Sequence, residues 1–356
     1  MRPIHGGDWA GFEERYHRTP LDFSVNVSPL GVPEGVGRAI QKAAAAADRY
    51  PDPLCGRLRA VIAEKEGIPA EQVLCGNGAA ELIFRAVLAK KPHRALLLAP
   101  TFAEYEAALR TVDCEIAYHP LREENDFALE VGILGAILPD TDMVFLCQPN
   151  NPTGLTTPRL LLCEILERCR AVGALLVLDE CFCDFLDEPT AHSLIGELRH
   201  PGELLILRSF TKLYAIAGVR LGYCLSADTA LVEAMALAGP PWSVSSLAQA
   251  AGLAAMEETD YVRQVRALIR AERPWLTEKL RGLGLRVIPG EANFLLFRCE
   301  IPLAAPLAQK GILLRECGSY RGLDDSWYRA AVRTHGENQR LTQAIEEVLA
   351  PWQRPL

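Results

Sequence analysis

Short apolar runs punctuate the first two-thirds of the chain: Val73-Leu74-Cys75, Ala95 to Ala99, Met143 to Cys147, Leu175 to Leu178 and Leu204 to Leu207. Each is too short for a helix and carries no polar interruption, which predicts a strand buried on both faces of a sheet. Helical spacing fills the gaps between them, at 35–47, 58–66 and 82–89, and from a Thr157 cap with Pro158 in the first position to Cys169, with Gly173 closing. Strands alternating with helices predict an α/β fold with a large, doubly wound, mostly parallel sheet. Beyond Pro240-Pro241-Trp242 the pattern changes. A long amphipathic helix from about residue 259 to 283 leads to strand-like segments at 286–288, 294–297, 312–314 and 328–332, which predict a smaller α+β domain. The expected division is residues 1–49 as an N-terminal arm and helix joining the small domain, 50–258 as the large domain and 259–356 as the small one.

Polar residues gather where these runs end, and in open α/β sheets ligands bind at the carboxyl ends of the strands. The run ending at Arg208 is followed by Ser209, Lys212 and Arg220, a hydroxyl, an amine and a guanidinium. Together they can grip a phosphate and leave a lysine to react with a carbonyl, which is pyridoxal-phosphate chemistry in outline. Gly76-Asn77-Gly78-Ala79-Ala80 joins a strand to a helix start, whose free N–H groups make an anion cradle. Phe102 falls after another strand, where its face can stack on a flat ring. Leu175 to Leu178 delivers Asp179, a carboxylate able to keep a pyridine nitrogen protonated. Gln148-Pro149-Asn150-Asn151-Pro152-Thr153-Gly154 concentrates turn formers at the same edge. His5-Gly6-Gly7 lies in the arm, where glycine lets backbone approach a ligand. Arg315 and Arg333 follow strands of the small domain.

Composition narrows the partners. The 356 residues carry a net charge of −8, with 49% hydrophobic and 23% charged residues. An ordinary globular protein fits, whereas nucleic acid or an anionic membrane needs a basic footprint. An anionic substrate therefore needs local arginines. Eleven cysteines, an odd number with no paired Cys-x-x-Cys spacing, fit structural roles in a reducing cytoplasm, and no metal site is expected. No apolar run approaches the roughly 20 residues that span a bilayer.

Taken in order, Gly-Asn-Gly, Pro-Asn-Asn-Pro-Thr-Gly, Asp-Glu-x-Phe and Ser-Phe-Thr-Lys followed by Gly-x-Arg resemble the pyridoxal-phosphate enzymes of the aspartate-aminotransferase fold, fold type I, across nearly the whole chain. That resemblance implies pyridoxal 5'-phosphate as cofactor, with Lys212 as its covalent anchor, Asp179 at the ring nitrogen, Asn151 at the ring hydroxyl and Phe102 against the ring. It implies that Ser209, Arg220 and the amides of Gly78, Ala79 and Ala80 hold the phosphate. Tyr50 matches a tyrosine that reaches the neighbouring subunit's phosphate, which implies a homodimer with shared sites. A substrate site of His5, Gly6, Asn151, Arg315 and Arg333 follows, with Arg333 on a carboxylate.

Within the fold, the arm, Phe182 and 331–334 resemble the threonine-phosphate decarboxylases of cobalamin biosynthesis, with the histidinol-phosphate aminotransferases as the alternative. Both groups take phosphorylated substrates. Gln148, Ala217 and the Ala79-Ala80 pair depart from the usual pattern. The fold also occurs as a sensor module fused to a DNA-binding domain, and this sequence has no basic helix-turn-helix segment.

Overall fold

The computed structural model describes residues 5–199 and 202–352; residues 1–4, which open the predicted arm, and 353–356, which end the predicted small domain, lie outside the described residues. Thirteen strands occur among them. In chain order they are β1 (Leu21–Asp22), β2 (Val73–Gly76), β3 (Arg94–Ala99), β4 (Glu115–Pro120), β5 (Met143–Cys147), β6 (Leu175–Asp179), β7 (Leu204–Ser209) and β8 (Gly222–Leu225), then β9 (Arg286–Val287), β10 (Phe294–Arg298), β11 (Ile312–Leu313), β12 (Arg315–Glu316) and β13 (Trp327–Ala331).

The large sheet has the order β2-β8-β7-β6-β5-β3-β4. Its strands are parallel except β8, which runs antiparallel to both of its neighbours. The continuous apolar runs sort by alternation. Leu176, Leu178, Ile206 and Val144 enter one core, whereas Val177, Leu205, Leu207 and Phe145 enter the other, because successive side chains point to opposite faces. The helix Arg159–Val172 covers the first face with Leu162, Ile165 and Leu166, and Ala79–Lys90 covers the second with Leu82, Ile83 and Ala86. Each such leucine contributes about 1.5–3 kcal/mol of burial, so the sheet edge that carries polar groups is held rigidly.

Local chemistry shifts two predicted boundaries. The helix of 35–47 spans Glu34–Ala44. The helix expected from Thr157 begins at Arg159 after Pro158, because the buried Gln148 side chain holds the Thr157 backbone on both sides, accepting from its N–H at 2.8 Å and donating to its carbonyl at 3.0 Å. Pro158 stays extended, with ψ of 137°. Gly173 closes the helix with φ of 75°, the left-handed conformation that favours glycine.

The small unit is a four-stranded sheet of order β12-β13-β10-β9. The segment expected to be one strand at 312–314 is broken at Leu314. Its first part, β11, pairs parallel with β1 of the arm, and β12 turns into the four-stranded sheet. The arm therefore serves both units. Its strand pairs with β11, whereas its helix Glu34–Ala44 packs against the helix Ser246–Ala255, outside the small unit.

Candidate active site

One cavity of about 530 Å³ opens where the ends of β5, β6 and β7 face the small sheet, with the arm along its rim. Lys212 lies in the one-turn helix Phe210–Leu213, which starts directly at the end of β7 with the Ser209 hydroxyl as its cap. Its carbonyl accepts from the Ser28 N–H at 2.8 Å, which ties the arm to the lysine turn. Enclosure by protein, then the guanidinium of Arg329, push the Lys212 amine down to about 8, with Arg220 adding to the effect. At pH 7 about a tenth of the amine is neutral and nucleophilic.

The phosphate cradle is sterically specified. A Cβ at Gly78, where φ is +82°, would stand 2.5 Å from Arg220 Nη2, and one at Gly222 would stand 2.5 Å from the Ala79 nitrogen. The helix Ala79–Lys90 has no side-chain cap, so the amides of its first turn are offered to a ligand. Ala79, Ala80, Ser209, Thr211 and Arg220 all line the cavity. Thr211 Oγ1 lies 2.6 Å from Ser209 Oγ and supplies a hydroxyl that Ala79-Ala80 lacks. Arg220 takes φ of 61°, a conformation costing on the order of 1 kcal/mol or more for a residue with a side chain. Its Nη1 donates to the Ala217 carbonyl at 3.3 Å.

Asp179 ends β6 and is buried. Its Oδ2 accepts from the Tyr105 hydroxyl at 2.7 Å and its Oδ1 from the Cys181 N–H at 3.0 Å. Burial pushes the Tyr105 phenol well above its usual range, so it remains a donor. Phe102 lines the cavity three residues before Tyr105, and the two rings meet edge to face at 5.6 Å. In the turn-rich loop, Asn150 is spent on Pro100 and Thr153, whereas Asn151 reaches the cavity and its Oδ1 accepts from Arg329 Nη1 and from the Tyr320 hydroxyl at 3.3 Å. Phe182 packs edge to face on Phe294 at 5.1 Å and brings no hydroxyl, so Tyr320 is the phenol beside Asn151.

The predicted residues divide into two groups. Ala79, Ala80, Phe102, Asn151, Asp179, Ser209, Lys212, Arg220, His5, Gly6 and Arg315 line one cavity. Gly78 lies beneath Arg220, and Tyr50 is 82% exposed, its ring 4.9 Å from that of Trp242 at a tilt of 37°, outside the cavity. Arg333 is a correction. Its guanidinium donates to the Asp22 carbonyl at 3.0 Å and to Glu337 at 2.8 Å, fastening the arm to the last helix. Four residues earlier, Arg329 occupies the middle of β13 and lines the cavity instead. Its Nη2 donates to the Ser24 carbonyl at 2.9 Å, and its buried Nε has no hydrogen-bond partner among the described residues. Tyr105, Thr211, Tyr320, Arg329 and Glu104 are the candidate-site residues that sequence reasoning missed. The one available signal was an arginine inside an otherwise apolar strand.

These donors fit pyridoxal phosphate: an anion cradle a Cβ would fill, a carboxylate for a protonated ring nitrogen, an aromatic face and a lysine of lowered pKa. The family model of the class I and II aminotransferases matches residues 18–348, and the chain belongs to that family. It is 41% identical over 333 residues to the threonine-phosphate decarboxylase of Salmonella typhimurium, covering 92% of this chain and 91% of that protein. It is 35% identical over 336 residues to the histidinol-phosphate aminotransferase of Desulfitobacterium hafniense, covering 91% of each. Of solved structures, the histidinol-phosphate aminotransferase from Clostridium acetobutylicum superposes with a TM-score of 0.87 at 27% identity, covering 93% of this chain and 99% of that one. The L-threonine-O-3-phosphate decarboxylase from Porphyromonas gingivalis does so with a TM-score of 0.80 at 25% identity, covering 92% and 99%.

Proposed function

We propose that this protein is a pyridoxal-phosphate-dependent carboxy-lyase that converts L-threonine O-3-phosphate to CO₂ and (R)-1-amino-2-propanol O-2-phosphate, the reaction of the decarboxylase it resembles at 41% identity. The observation that carries the reading is a pair of buried arginines, Arg315 and Arg329, lining the same cavity as Lys212. A substrate with a carboxylate and a phosphate needs two cationic anchors, and a guanidinium binds either in a bidentate, charge-assisted way. Arg329 takes the carboxylate, and Arg315 with His5 takes the phosphate. Gly6 leaves room for the arm to close against Ser24 beside them.

The cofactor, when bound, supplies an electron sink for the bond that breaks. Ser209, Thr211, Arg220 and the Ala79 and Ala80 amides hold its phosphate, Asp179 its ring nitrogen, Asn151 its hydroxyl and Phe102 its face. Arg329 orients the substrate carboxylate, the bond from Cα to that carbon breaks as CO₂ leaves, and Lys212 Nζ delivers a proton to Cα. The exposed Tyr50 and Trp242 pair supports a homodimer in which Tyr50 reaches the partner's phosphate cradle.

The test is CO₂ release from L-threonine O-3-phosphate by the loaded protein with no keto acid present. Turnover of histidinol phosphate that depends on 2-oxoglutarate, without CO₂ from phosphothreonine, would make the aminotransferase the correct reading.

A further inference from the structure

Two carboxylates line the cavity, Asp179 and Glu104. Asp179 serves the cofactor nitrogen, whereas Glu104 places a negative charge where an anionic substrate must bind. An unneutralised carboxylate there would repel a phosphate ester. His5 meets that charge: its Nε2 lies 2.7 Å from Glu104 Oε1. The hydrogen bond from His5 is the main cause holding the Glu104 carboxyl below the usual carboxylate range, so Glu104 accepts and His5 Nε2 carries the proton. Only Nδ1 is left to meet a ligand. The carboxylate is the better enclosed partner, at 22% exposure against 52% for the imidazole.

The backbone behind His5 is seated by a separate contact. Gly7 N–H donates to Ser24 Oγ at 2.8 Å, and a Cβ at Gly6 would stand 2.2 Å from the Ser24 carbonyl oxygen. The imidazole lies 5.9 Å from the Phe102 ring. With the arm pinned at Ser24, Glu104 is the group that sets the direction of the ring.

We propose that Glu104 is a positioning residue for the substrate phosphate: between two anions His5 is held as the imidazolium, Nε2–H donating to Glu104 and Nδ1–H to the phosphate, so that one ring neutralises the carboxylate and grips the ligand. The inference rests on the reading of the cavity as a site for a phosphate monoester. Its signature is a change of sign. Removing the carboxylate from the wild type releases His5 and weakens phosphate binding. Removing it from a protein that already lacks His5 takes away a bare anion and improves binding. A carboxylate that only anchored the arm would affect phosphorylated and unphosphorylated ligands alike and give no such gain.

Calorimetric binding of 1-amino-2-propanol O-2-phosphate and of 1-amino-2-propanol, which have no carboxylate to lose and so are not decarboxylated, to the pyridoxal-phosphate-loaded protein tests this in the wild type, Glu104→Gln, His5→Ala and the double variant. The preference for the phosphorylated ligand is expected to fall about tenfold in Glu104→Gln and further in His5→Ala, and to recover about threefold in the double variant. Should Glu104→Gln fail to fold, Glu104→Ala takes its place in the same comparison. Equal losses for both ligands, or a double variant no better than His5→Ala, overturn the proposal. Absence of CO₂ release from phosphothreonine in the wild type overturns the decarboxylase reading instead, and the binding comparison still decides the role of Glu104.

Discussion

The two walls of the cavity are built on different plans. The wall proposed for the cofactor is made of residues at or just after the ends of parallel strands, Asp179 on β6, Ser209 on β7 with Lys212 just beyond it, and Asn151 after β5, with two cores beneath them. The substrate wall is assembled from three remote segments: the arm with His5, β12 and its turn with Arg315 and Tyr320, and Arg329 from the middle of β13. One wall follows from sheet architecture, the other from how separate pieces of chain meet. The difference teaches that the first can be damaged only at its chemistry, whereas the second can be lost through register.

The largest effect is expected at the cofactor wall. Lys212→Ala should lower CO₂ release by about four orders of magnitude and abolish the adduct reducible by borohydride. A variant that still formed that adduct would remove Lys212 from its role. Pairing this subunit with a Tyr50→Ala subunit should restore activity in mixed dimers, since one composite site keeps both residues. Mixed dimers as inactive as their parents would argue that each subunit completes its own site.

The substrate wall comes next. Arg329→Ala should cost on the order of 100-fold in kcat/KM, because it removes charge-assisted contacts, leaves the Ser24 carbonyl unpaired and leaves Asn151 Oδ1 with the Tyr320 hydroxyl alone. Arg333→Ala should cost about 1–2 kcal/mol of stability and leave kcat/KM within a few-fold. The reverse ranking, read from steady-state kinetics and thermal denaturation, would return the carboxylate to Arg333.

Arg220→Ala should weaken cofactor binding by about tenfold or more while the fold persists, measured by cofactor titration of the apoprotein. Unchanged affinity would mean that the helix amides and hydroxyls suffice. The smallest effect couples the two walls. Cofactor uptake needs the neutral lysine, so its rate in the apoprotein should rise with pH and level off above about 8. Arg329→Met removes one of the cations that hold this pKa down, so the midpoint should move upward and uptake at pH 7 should slow by about two- to fivefold. A midpoint unmoved by this change would remove Arg329 from the groups that set the lysine and leave enclosure and Arg220.

The sequence by itself determined the cofactor wall. An apolar run of four to six residues between helical patterns and turn formers reads as a strand buried on both faces, so the polar residue that ends it lies at the sheet edge, and Asp179 and Ser209 could be placed with no knowledge of the fold's other half. The turn formers at 148–154 were equally informative, although only structure separated Asn151, which faces the cavity, from Asn150 and Gln148, which hold the loop. Tertiary structure alone decided the substrate wall. In a short antiparallel strand every second side chain faces the same way, and Arg329 inside β13 and Arg333 two residues beyond its end share that parity, so alternation does not separate them. Which of Arg329 and Arg333 enters the cavity depends on where β13 sits against β10 and on the arm crossing beside it. Glu104 likewise became visible only when an arm 99 residues away laid His5 against it. Contacts of that separation are fixed by the packing of whole elements, which the spacing of residues along a single chain does not encode.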